Sequence, residues 1–196
     1  PDDDRAKFEV TITNLTKGQI FSPAVVATHN KKFSPLFELG SAASTELAMV
    51  AEDALNGDLV AALEGDSNVK DVQVTPGPIM PGATVSVMVE TNKRNGHVSL
   101  AGMLVTTNDA FYALNGVHGG STYYSPAYDS GTEANSEACM YKPGPPCGNG
   151  GVPDDTADAE GYVHIHSGVH GVGDLDPAMH DWRNPVAKIT ITKIGG

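Results

Sequence analysis

Apolar and polar residues alternate with a period of two along Phe8-Glu-Val-Thr-Ile-Thr13, which places one set of side chains on each face of a half-buried strand. The same β-type pattern recurs at Ala24 to Thr28, Val69 to Thr75, Thr84 to Glu90, Val98 to Val105, Tyr162 to His166 and Ala187 to Thr192. Gly, Pro and Asn punctuate the gaps, so the pattern predicts an all-β, antiparallel β-sandwich. The period changes at Ser44-Thr-Glu-Leu-Ala-Met-Val-Ala-Glu-Asp53, where a hydroxyl cap precedes Glu and Leu47, Val50 and Ala51 share a face, as in a short helix. A second short helix is expected from Leu59 to Leu63. Asn115 to Glu160, rich in Gly, Pro, Ser and Asp, is expected to form long ordered loops without secondary structure. With no repeat and no linker, one domain over residues 1–196 is the expectation.

Composition narrows the functions. A chain of 196 residues with 40% hydrophobic content can bury one good core. Its 24 acidic against 12 basic residues give a net charge of −12, which repels phosphate backbones and anionic lipid surfaces; cations are the natural partners. No apolar run reaches the roughly 18 residues that span a bilayer. The polar opening Pro1-Asp-Asp-Asp-Arg5 is unlike a signal peptide and fits a processed mature form.

The two cysteines, Cys139 and Cys147, enclose a loop stiffened by three prolines. A disulfide, implying an oxidising compartment, is the preferred reading; a thiolate metal site is the alternative, although the spacing lacks C-x-x-C geometry. The segment Gly161 to Trp182 concentrates four of the seven histidines and the only tryptophan. His164 and His166, two apart in an extended run, project from one face and suit copper, zinc or nickel. His170, His180 and His29, which follows the second predicted strand, are further candidate ligands; the bland alternative is histidines bonded to backbone or solvated. No nucleophile elbow frames a serine, and the cysteines form no C-x-x-C redox centre, so a non-enzymatic role is expected.

Several segments, in order along nearly the whole chain, resemble the spondin N-terminal domain family in its bacterial form: Phe8 to Thr16, Phe21 to His29, Leu36-Phe-Glu-Leu-Gly40 with Ala51-Glu-Asp53, Thr107-Asn-Asp-Ala-Phe111, Tyr128-Asp-Ser-Gly-Thr-Glu-Ala-Asn135 and Asp181-Trp-Arg-Asn-Pro-Val-Ala-Lys-Ile189. The resemblance implies a C2-like antiparallel sandwich, secreted or surface-exposed, with calcium among loops at one end. The positions matching the family's acids are Asp109, Asp129 and Glu133, the last being one methylene longer than the animal pattern. Without the resemblance these would read as acids capping turns.

Calcium takes oxygen ligands, so the histidines point to a second, softer ion. Met179 and Trp182 beside His180 favour copper, as Cu(I). The His180-Asp-Trp182 neighbourhood also resembles the surface copper-binding proteins of methane-oxidising bacteria, in which an oxidised tryptophan joins two histidines at copper. The alternative for Trp182 is a ring covering the sandwich end. The expected function is thus a monomeric metal-binding protein, secreted, on the cell surface or associated with the outer membrane, binding calcium and copper, for copper binding or acquisition. The competing expectations are a calcium-dependent adhesion module with a cell-surface protein or glycan partner, and a His-ligated metalloenzyme.

Overall fold

The computed structural model describes residues 6–149 and 154–195; the opening Pro1 to Arg5 lies outside them. Among the described residues, ten strands form two antiparallel sheets: β1 (Lys7–Asn14), β2 (Val25–His29), β3 (Val69–Val74), β4 (Thr84–Glu90), β5 (His97–Met103), β6 (Ala110–His118), β7 (Thr122–Ser125), β8 (Tyr128–Asp129), β9 (His164–Ile165) and β10 (Ala187–Ile194). One sheet has the order β4-β1-β10-β7 and the other β3-β2-β5-β6-β8-β9. Three short helices accompany them among the same residues: α1 (Thr45–Asp53), α2 (Gly57–Glu64) and α3 (Pro177–His180). The chain is therefore an all-β sandwich with few helices. No helix among the described residues is long and apolar enough to cross a membrane.

Alternation builds the four-stranded sheet. Phe8, Val10 and Ile12 of β1 and Ala187, Ile189 and Ile191 of β10 point into the core, where they meet Val26, Leu100, Tyr112 and Leu114 of the other sheet. Each large aliphatic side chain buried there contributes about 1.5–3 kcal/mol. Their polar neighbours face outward and bond across strands, as Thr11 does with Ser86 and Thr13 with Thr84.

The six-stranded sheet is covered on both faces. Leu47 and Ala51 of α1 pack on Ala101, Phe111 and Ala113, while Val50 of α1 joins Leu59 and Leu63 of α2 over Val25 and Ala27. Burial on both faces removes alternation as a signal, so β6 begins with the unbroken run Ala-Phe-Tyr-Ala-Leu. This corrects the expectation of loops from Asn115 to Glu160, which in fact contains the end of β6, all of β7 and β8, and a 3-10 turn at Cys139–Tyr141. Asn115, read as punctuation, is a tie: its side chain accepts from the Leu36 N–H and donates to the Phe37 carbonyl. The strand expected over Tyr162 to His166 shortens to the two residues of β9.

Cys139 and Cys147 form a disulfide, with an S–S distance of 1.98 Å.

Candidate metal centre

The short outer strands of the larger sheet bring separated residues together. β8 pairs with β6 through Ala110↔Asp129, and β9 pairs with β8 through Asp129↔His164. Asp109, immediately before β6, Asp129 and His164 thus converge at one end of the sheet. The β8 turn closes tightly at Gly131, where φ is 68° and an added Cβ would lie 2.1 Å from the Tyr162 carbonyl oxygen. Only glycine fits there.

Asp129 is fully buried and stands between two groups of potential ligands, each with its donor atoms within 4.8 Å of one another: Asp109, Asp129 and His166 in one, Asp129, Glu160 and His164 in the other. His164 Nε2 is 3.5 Å from Asp129 Oδ1 and 3.9 Å from Glu160 Oε1. His166 Nε2 is 3.8 Å from Asp129 Oδ2. Asp109 Oδ2 is satisfied by Ser130 Oγ and the Thr132 and Glu133 N–H groups. Asp109 Oδ1, His164 Nε2 and His166 Nε2 are buried and have no hydrogen-bond partner.

The two histidines differ in chemistry. His164 Nδ1 lies 3.0 Å from the Ile165 carbonyl, an acceptor only, so Nδ1 carries the proton and Nε2 presents a lone pair to the two carboxylates. Metal-ligating histidines are commonly arranged this way. His166 Nδ1 instead accepts from the Gly168 N–H, so the neutral ring carries its proton on Nε2, directed at the acid cluster. His166 therefore presents an N–H instead of a lone pair to Asp129, at 3.8 Å and without a hydrogen bond. Burial, then the neighbouring His164, pushes the His166 pKa down to about 3.

Burial raises both Asp109 and Asp129, and Asp109 is raised further by the Asp129 charge. Two desolvated carboxylates this close favour a proton or a cation between them. Glu133, expected to join them, has turned away: Oε1 accepts from the Asp155 N–H and the carboxyl faces Asn108. Burial pushes its pKa up to about 8.

The remaining expected ligands separate. His29 is at the opposite end of the sheet, paired through His97 to His118 at the far end of β6, on the order of 25 Å from Asp109 at strand rise. Both its ring nitrogens are engaged, with the Asn30 carbonyl and Ser99 Oγ. The expectation that it approaches His164 and His166 is corrected. His180, in α3, has Nδ1 at 3.5 Å from the Gly18 carbonyl, and the His170 ring faces Ser167 Oγ. His170, His166, Asp181 and Trp182 line a cleft of about 320 Å³. Trp182 belongs to the core and packs on His166 with ring centroids 5.0 Å apart. Glu160, four residues before His164, was missed in the sequence; the signal available was an acid one turn's spacing from a histidine, which is too common to single out.

No protein-family model matches the chain, and no curated protein matches it.

Proposed function

We propose that this protein is a metal-binding module of an oxidising compartment, which captures a divalent transition ion with His164, Asp129 and Glu160. The observation that carries the reading is the buried, unpartnered His164 Nε2, whose lone pair faces two carboxylate oxygens that cannot donate to it. A cation relieves that arrangement. Asp109 lends a further negative charge, and Asp129 is held in place by the Gly131 N–H and Asn135 Nδ2, with His166, packed on Trp182, beside it. The mixed nitrogen and oxygen donor set suits copper as Cu(II), or zinc, better than the Cu(I) favoured by histidines alone. The Cys139–Cys147 disulfide supports a location outside the reducing cytoplasm. Binding and acquisition, without turnover, is the role proposed.

Calcium is the second reading, supported by the unpartnered Asp109 Oδ1 beside Asp129. Because Asp129 belongs to both groups, the two ions share a ligand instead of occupying independent sites. Calorimetric titration of chelator-treated protein with Cu(II) tests this. We expect His164→Ala to weaken Cu(II) binding at least tenfold while calcium binding persists, and Asp129→Asn to weaken both. Unchanged Cu(II) affinity in His164→Ala would overturn the proposal.

A further inference from the structure

Apart from the metal centre, a lysine, an asparagine and a glutamate meet in the protein interior. Lys142 is fully buried, and Asn108 and Glu133 are nearly so. Lys142 Nζ donates to Asn108 Oδ1 at 2.8 Å and to the Ala138 carbonyl at 3.0 Å. The Glu133 carboxyl faces the Asn108 side chain, while Glu133 Oε2 and Asn108 Nδ2 are both buried and lack hydrogen-bond partners. Among the described residues no carboxylate forms an ion pair with Lys142, and a buried lysine so placed is an expensive way to hold a loop.

We propose that Lys142 and Asn108 join in an intramolecular amide cross-link, with the Glu133 carboxyl carrying the proton. The Glu133 carboxyl, whose charge acts on Lys142 more than that of any other carboxylate, swings from Asn108 towards Nζ and takes a proton from the ammonium, and the resulting amine attacks Asn108 Cγ. Rotation of the amide turns Oδ1 out of the way and opens the face of Cγ, so that the short Nζ–Oδ1 approach can be exchanged for the roughly 3–3.5 Å approach to carbon from which such attacks begin. The tetrahedral intermediate places negative charge on Oδ1, towards which the Glu137 N–H already points at 3.3 Å. Glu133 returns a proton to Nδ2 as the Cγ–Nδ2 bond breaks, and the second Nζ proton leaves through the same carboxyl. A Cγ–Nζ amide replaces the Cγ–Nδ2 amide and one ammonia departs; no oxidant or cofactor is required. Burial supports the first step by holding the Lys142 amine down to about 8.

The bond would tie the turn before β6, next to Asp109, to the loop closed by Cys139 and Cys147, across 34 positions of sequence. The proposal does not depend on the metal reading.

Intact mass spectrometry of the wild-type protein decides it. We expect a mass below that of the sequence by about 17 Da for the lost ammonia, beyond the roughly 2 Da of the disulfide, and a branched Asn108–Lys142 peptide after digestion. Lys142→Met should restore the 17 Da and melt at a lower temperature. Glu133→Gln should also keep the full mass while retaining a native circular dichroism spectrum; a deficit persisting there would remove Glu133 from the reaction. Full mass in the wild type, or an ammonia loss mapping to another residue, would overturn the cross-link whether or not the variants fold.

Discussion

At the scale of single residues, ionisation states in this protein are set by burial. His166 is the sharpest case, since its folded pKa near 3 lies below the value of about 6.5 for an unfolded histidine. The folded state therefore binds fewer protons than the unfolded one. Its contribution to stability is present above about pH 6.5 and lost as the pH falls towards 3, amounting to about 2 kcal/mol by pH 5. Urea unfolding at pH 7 and pH 5 should show this loss in the wild type and a smaller one in His166→Gln. An equal acid sensitivity in the two proteins would show that His166 protonates freely when folded. Residue type marks His164 and His166 as candidate ligands, whereas Asp109 and Asp129 stand out only through the family resemblance and would otherwise read as acids capping turns. It did not distinguish His164 from His166: that depends on whether Nδ1 meets the Ile165 carbonyl or the Gly168 N–H.

At the scale of elements, local pattern served well where one face is buried and the other is wet. β1, β4 and β10 lie where alternation predicts them, and α1 begins at the hydroxyl cap expected before Glu46, with Ser44 and not Thr45 as the cap residue. Ser44 Oγ accepts from the Leu47 N–H. Ser44→Ala should cost about 1 kcal/mol in thermal or chemical unfolding with the fold unchanged; no measurable loss would mean that packing of Leu47 and Val50 on the sheet alone fixes the helix. Pattern failed for β6, where burial on both faces erases the period, and for the two-residue β8, and it overran β9, which keeps only His164–Ile165 of the strand expected from Tyr162 to His166. Strands so short carry no period. They exist because β6 pairs with β8 and β8 in turn with β9, and it is they that position Asp129 and His164.

At the scale of the whole molecule, the fold has a charged, ligand-rich end with Asp109, Asp129, Glu160 and His164, and a separate histidine row, His29, His97 and His118, at the other end of the larger sheet. An ion that binds only the folded state should raise the melting temperature, by the equivalent of about 2.7 kcal/mol at a free concentration one hundred times Kd. Scanning calorimetry with Cu(II), with calcium and with both should give less than the sum of the separate shifts, because Asp129 is shared; fully additive shifts would point to independent sites. Periodicity, capping and loop chemistry, each legible within a few residues, suffice for the β-sandwich class, the two main helices and a disulfide pair. The tertiary structure alone decided that His29 stands apart from His164, that Glu133 turns to Asn108 and Lys142, and that Glu160 joins Asp129. The physical reason is that those relations are set by strand pairing and by desolvation among residues distant in the chain, which leave no local pattern to read.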